Sequence, residues 1–95
     1  MFEWDANKNN LNISTHGVSF EQALRIFDGY TVDRPDDRFA YDELRIFSLG
    51  MVGATTILAV SHTDRNGVCR IISARPALKH ERRYYEQEIQ KALGS

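Results

Sequence analysis

Residues 70–85, "RIISARPALKHERRYY", hold the side chains of this chain best suited to binding a phosphodiester. Arg70, Arg75, Lys79, Arg82 and Arg83 supply cations, Ser73 a hydroxyl, and Tyr84 and Tyr85 phenols. Arginine stays charged in proteins, and its planar fork matches two phosphate oxygens at once. Serine and tyrosine add neutral hydrogen bonds. An ion pair explains any one of these arginines, with Arg70 and Arg75 joined to Glu43 and Glu81 so that sheet and helix hold together. A binding patch explains the cluster better. Strict strand alternation puts Ser73 and Arg75 on one face with Ile71 and Cys69. Arg70 then points the other way with Ile72 and Ala74, unless a bulge intervenes. Arg45 comes from another strand, with Glu43 at like parity.

Proton carriers are scarcer. His62 closes a strand-like run beside Thr63 and Asp64, and an imidazole there can serve as base or acid; a solvent-exposed hairpin histidine is the plainer reading. His16 falls in a tight turn and is expected to bond backbone groups. His16, His62, Cys69 and His80 are not spaced as a zinc site is. No phosphate-binding glycine loop and no nucleophile motif is present. Neither a metal nor another cofactor is expected.

The elements that must position these groups follow from pattern. "FEW" suits a short first strand, after which Asp5 caps a helix through "ANKNNLNIST", stopped near His16 by Gly17. Ser19 and Gln22 form a capping box, and Phe20, Ala23, Leu24 and Phe27 recur at helical spacing up to Gly29. "YTVD" (30–33) is a short strand, and "RPDDRFAYD" a polar connection broken by Pro35. "ELRIFSLGMV" (43–52), "TTILAVSHT" (55–63) and "VCRIISAR" (68–75) are strands, the last two joined by the hairpin signal Asn-Gly. Pro76 suits the first position of a third helix, with Leu78, Tyr85, Ile89 and Ala92 or Leu93 as its apolar stripe. Consecutive strands with short turns predict an α+β domain. Its centre is an antiparallel sheet of about four strands, packed by two N-terminal helices and followed by a C-terminal one.

Composition sets outer bounds. The 95 residues fit one domain, 1–95, and are 42% hydrophobic and 26% charged, ordinary for a globular protein. Net charge is −1, which by itself does not suggest a nucleic-acid binder. Its distribution says more: residues 1–63 hold five Lys/Arg against nine Asp/Glu, and residues 64–95 hold seven against four. The cations gather in the last third. A lone cysteine, Cys69, within a strand suits a buried thiol in a reducing cytosol. The polar start "MFEWDANKNN" carries no secretory signal, and "MVGATTILAV" is shorter than a membrane span. A cytoplasmic protein without membrane contact is expected.

Several blocks in order resemble a known family. "FEWD" with Lys8, Asn12, "HGVSFEQA", "DELR", "RIISARPA" and "ERRYY" are similar to the BrnT family of bacterial type II toxins, small ribonucleases of RelE-like fold. They span residues 2–85, and "HGVSF" with "RIISAR" downstream is the specific part. The sequence departs from the family at Thr15, where members usually carry lysine before "HGV". The resemblance implies metal-independent endoribonucleolytic cleavage of RNA that inhibits translation and growth. It also implies a cognate antitoxin of ribbon-helix-helix type, through which alone the pair binds promoter DNA. On this reading Arg70 and Arg75 clamp the scissile phosphate, Ser73 bonds it or the 2′-hydroxyl, Arg45 assists, and His62 or Tyr84 moves protons. Lys79, Arg82 and Arg83 contact RNA or the partner. The alternative is a non-catalytic module that binds nucleic acid or protein through the same patch.

Overall fold

Asp5, Ser19 and Asn66-Gly67 punctuate the chain as their chemistry predicts. The computed structural model describes residues 1–36 and 43–94. Strand β1 (Phe2–Glu3) leads into helix α1 (Ala6–His16), where Asp5 accepts the Lys8 N–H and Gly17, at φ 72°, closes the far end. Ser19 and Gln22 complete the capping box of α2 (Phe20–Ala23), and a 3-10 turn continues it through Leu24–Asp28. Strands β2 (Thr31–Pro35), β3 (Ile46–Val52), β4 (Thr56–Arg65) and β5 (Val68–Pro76) follow, then helix α3 (Lys79–Gly94). The β4–β5 hairpin turns on Asn66 and Gly67, both at positive φ, the backbone that a two-residue primed turn demands.

Among the described residues the sheet has five strands in the order β1-β5-β4-β3-β2. Four are antiparallel neighbours, as expected; β1 adds a fifth, parallel to β5, through Phe2–Cys69 and Glu3–Arg70. The sheet is therefore mixed rather than wholly antiparallel. The two N-terminal helical segments cover one face. Phe20, Ala23 and Ile26 are fully buried there against Leu58, Val60, Ile71 and Ala74. Ile26 takes the deep position that helical spacing assigns to Leu24, because the 3-10 turn brings every third residue to one side. The approach is close: a methyl on Gly50 would stand 2.5 Å from Ile26 Cβ. Helix α3 covers part of the other face, with Tyr85 buried among Leu49, Ile57 and Ala59 and its hydroxyl donating to the Tyr30 carbonyl at 2.8 Å.

Helix α3 starts later than Pro76 suggests. Pro76 ends β5 opposite Leu58, and the helix begins where Glu81 Oε1 accepts the Leu78 N–H at 2.7 Å. Leu78 is accordingly exposed rather than part of the apolar stripe. The polar connection expected over 34–42 lies outside the described residues from 37 to 42, as does Asp42 of "DELR".

Asparagine does structural work in α1. Buried Asn12 donates to the carbonyls of Val18 and Ala74 and accepts the Ala74 N–H, so it satisfies the edge of β5 beyond the reach of β1. Asn9 accepts the Phe20 N–H and fixes the entry of α2. Helix propensity alone disfavours these residues; their tertiary bonds explain them.

On the same face, a polar chain crosses four strands. Ser48 Oγ donates to Asp33 at 2.5 Å, and its other contact is His62 Nε2 at 2.7 Å. Since the single hydroxyl proton goes to Asp33, His62 must carry hydrogen on Nε2 and offer a bare Nδ1 to the Cys69 thiol at 3.6 Å. Burial holds the His62 pKa below its usual value, with Asp33 partly opposing, and burial pushes the Cys69 thiol up. Both groups are thus neutral, which suits a core. A histidine whose folded pKa is depressed stabilises the fold above its unfolded value and loses that contribution as pH falls below about 6.5. Denaturant midpoints of the native chain and of His62→Gln, whose amide still donates to Ser48, should converge and cross as pH drops from about 8 to about 5. A constant difference between the two would show that His62 is not held neutral.

Candidate active site

The arginines meet on one sheet face because β5 carries an extra residue. Ser61 pairs with Ser73 but His62 pairs with Ile71, so Ile72 is a β-bulge. Alternation restarts across it. Ile71 and Ala74 then both enter the helical core, while Arg70, Ser73 and Arg75 pair with Thr63, Ser61 and Ala59 on the opposite face. The expectation that Arg70 opposes Ser73 and Arg75 is corrected, and so is the grouping of Ser73 and Arg75 with Ile71 and Cys69. Phe47 and Arg34 join the same face through their pairing with Ser61 and with each other. Arg45 precedes β3 by one residue, and its carbonyl accepts the Asp36 N–H at 2.8 Å, one step beyond the Pro35–Ile46 pair. Carried back that one step, strand alternation sets Arg45 on the side of Phe47.

Around Phe47 the cations and rings interleave. The Arg34 guanidinium carbon lies 5.9 Å from the Phe47 ring centroid and 5.2 Å from that of Tyr84, and the Arg75 carbon lies 5.9 Å from Phe47. Such spacing is within cation–π range. Arg75 is held by Glu81 in a two-point pair at 2.7 and 3.0 Å, and its side chain keeps 28% exposure. These bonds, with the one from Leu78, hold the Glu81 carboxyl below its usual pKa. A cleft of about 250 Å³ opens here, lined by Arg34, Pro35, Asp36, Phe47, Arg75, His80 and Glu81.

The anticipated site residues are therefore only partly assembled. Arg75 lines the cleft, and Tyr84 backs it through Arg34. Arg70 pairs with Glu3 at 3.4 Å, not with Glu43, whose partner is Arg65 at 2.9 Å. Ser73 is exposed on the edge strand and borders a second groove, of about 280 Å³, with Lys8, Leu11, Asn12, Thr15, His16 and Ile72. Lys79, Arg82 and Arg83 stand exposed on α3. His62 is not at the cleft: it is 8% exposed, on the opposite sheet face, with its ring edge-on to Phe27. Neither an exposed hairpin position nor a place beside the arginines describes it. Sequence reasoning passed over Arg34, Phe47 and Asp36, and considered His80 only as a possible metal ligand. Among the described residues no three His, Cys, Asp or Glu side chains gather as a metal site would require. None of the described helices is long and apolar enough to cross a membrane.

Comparison with known proteins adds the family. No curated protein matches the chain in sequence. Its fold is similar to that of the Brucella abortus ribonuclease toxin BrnT, solved by crystallography, with a TM-score of 0.64 at 23% identity over 83% of this chain and 99% of that one. The family model described as "Ribonuclease toxin, BrnT, of type II toxin-antitoxin system" matches residues 4–81, most of the chain and all of the arginine face up to the first turn of α3. The chain belongs to the BrnT family of ribonuclease toxins of type II toxin–antitoxin systems.

Proposed function

We propose that this protein is an endoribonuclease whose active site is the cleft over Phe47 and the arginine face around it. The observation that carries the reading is the pair of guanidinium groups, Arg34 and Arg75, that line one cleft, each 5.9 Å from the same aromatic ring, Phe47. A phosphodiester needs cations at the phosphate, and a splayed single strand needs a flat surface for its bases; this cleft offers both. Arg75 and Arg34 contact the scissile phosphate. Arg70 and Arg45 extend the cationic face along the strand. Ser73 bonds a neighbouring phosphate or 2′-hydroxyl from the edge of β5, and Tyr84 supports Arg34 and stacks a base. Lys79, Arg82 and Arg83 hold the flanking backbone.

The chemistry follows from the substrate. The 2′-oxygen attacks the adjacent phosphorus, the bond to the 5′-oxygen breaks, and the proton lost by the 2′-hydroxyl is balanced by one gained at the 5′-oxygen. A 2′,3′-cyclic phosphate results. Negative charge builds on the phosphoryl oxygens in the transition state, and fixed guanidinium groups stabilise it without a metal. Cutting cellular RNA in the cytoplasm then halts translation and growth. His62 has no part in this scheme, since its ring faces the other side of the sheet.

One observation favours the alternative of a non-catalytic binding module. Glu81 engages both terminal nitrogens of Arg75, which is how a purely structural pair is built. Cleavage separates the two readings. RNA incubated with the protein in excess chelator should yield cyclic-phosphate ends. Arg34→Ala and Arg75→Lys should each lower kcat/KM about a hundredfold or more, and Ser73→Ala about tenfold. Both arginine variants keep the fold: Arg34 is exposed, and lysine still offers Glu81 a cation. Binding without cleavage would favour the module, and cleavage abolished by chelator would overturn the metal-free route.

A cognate antitoxin, of ribbon-helix-helix type and the only element of the pair to touch promoter DNA, silences the enzyme by covering residues 70–85. Its carboxylates displace phosphate from the exposed α3 cations, while apolar anchors supply most of the affinity. Reversing Arg82→Glu together with Arg83→Glu should slow antitoxin association and flatten its salt dependence. Unchanged association, with no hydrogen-exchange protection over 70–85, would place the inhibitor on another surface.

A further inference from the structure

Any cleavage by this route moves two protons, and the groups able to move them can be compared among the described residues that line the cleft. Arg34 and Arg75 stay charged and exchange no proton near neutral pH. Glu81 accepts hydrogen bonds from both Arg75 terminal nitrogens and from the Leu78 N–H, and those bonds hold it ionised. Asp36 is 7% exposed, with its own N–H bonded to the Arg45 carbonyl, and so sits deep in the wall. His80 remains. It is exposed, lines the same cleft as Arg34, Arg75 and Phe47, and is the one imidazole to do so.

We infer that His80 is the residue that exchanges a proton with the reacting sugar oxygens, an assignment that rests on the ribonuclease reading of this cleft. Its position is fixed by more than exposure. His80 lies in the first turn of α3, next in sequence to Glu81. The Glu81–Arg75 pair locks that turn to the end of β5, so the imidazole is carried at a set place relative to the guanidinium that meets the phosphate. The helix is held in turn by Tyr85, buried under it and bonded to Tyr30. The other histidines are elsewhere: His62 is buried with both ring nitrogens engaged by Ser48 and Cys69, and His16 borders the groove of α1. Imidazole near neutral pH can either take the proton from the 2′-hydroxyl or give one to the departing 5′-oxygen. Water exchanges the other proton, giving one to the 5′-oxygen or taking one from the 2′-hydroxyl, and returns His80 to its starting state, so the proton count of the reaction closes.

The test uses the full chain and a short single-stranded RNA. His80→Ala and His80→Gln should lower kcat/KM about a hundredfold or more, while RNA affinity, read with a fully 2′-deoxy analogue, changes less than about threefold. One limb of the pH–rate profile should flatten in both variants, and free imidazole in the buffer should restore part of the His80→Ala activity. His80→Lys supplies a cation without an imidazole and should stay as slow as His80→Ala; recovery there would mean that only charge is needed and would overturn the assignment. Activity within about twofold of the native chain, or a loss with unchanged pH profile and no rescue by imidazole, would also overturn it. If the native chain itself cuts no RNA, the ribonuclease reading fails and the assignment with it; a native chain that cuts, beside an unaffected His80→Ala, removes His80 alone.

Discussion

One inserted residue decides which side chains can act together in this protein. In a regular strand Arg70 and Arg75 lie on opposite faces, and one of them would enter the core. The bulge at Ile72 resets the alternation, so that Ile71 and Ala74 fill the space under α1 and α2 while Arg70, Ser73 and Arg75 all face away from it. Bulges bend a strand and leave one residue outside the ladder. Here Ile72 is half-buried beside α1, and Asn12 satisfies the Ala74 backbone just beyond it. The irregular strand therefore leaves the Ala74 amide and carbonyl satisfied at its edge.

From that face the site is completed by two junctions. The Arg75–Glu81 pair ties β5 to the first turn of α3, and the Leu78 N–H joins it as a third donor to the same carboxylate. The β2–β3 pairing brings Arg34 beside Phe47 and within reach of Tyr84. Sheet and helix thus meet at a corner lined by two guanidinium groups, the carboxyl-bearing Asp36 and Glu81, and the Phe47 ring. The opposite face has a different character. Its polar chain runs from exposed Asp33 through buried Ser48 and His62 to half-buried Cys69, with a neutral ring and thiol bonded within it, which is how a structural network is built. The cost of burying it is offset by those bonds, and its product is a fixed sheet rather than reactivity.

Local signals in the sequence were legible where one residue decides the outcome. Asp5, the Ser19–Gln22 box, Gly17 and Asn66-Gly67 each set a cap or turn by their own chemistry, and the element order followed. What long-range contacts decide was not. The bulge has no glycine to announce it, so strict alternation divided the arginines wrongly. Strand β1 was legible as a short strand, but its parallel pairing with β5, which makes the sheet mixed, was not. Pro76 was read as a helix start, yet the start belongs to Glu81, whose reach back to Leu78 depends on Arg75 being in place. His62 carried the same polar neighbours a surface histidine would, and only the register against Phe27, Ser48 and Cys69 buries it. Arg34 and Phe47 sit some distance in sequence from the basic cluster and become part of the site through strand pairing.

Family membership and the arginine face lead to one central claim, that RNA lies over Phe47 between Arg34 and Arg75. Another groove among the described residues competes for it, lined by Lys8, Thr15 and His16 beside Ser73. Backbone amide shifts of isotope-labelled protein, titrated with a short single-stranded RNA analogue lacking 2′-hydroxyls, would distinguish them without any chemistry taking place. The account gives saturable changes at Arg34, Phe47, Arg75, His80 and Tyr84, weakening as salt rises. Changes confined to α1 and its groove, with those five residues still, would contradict it.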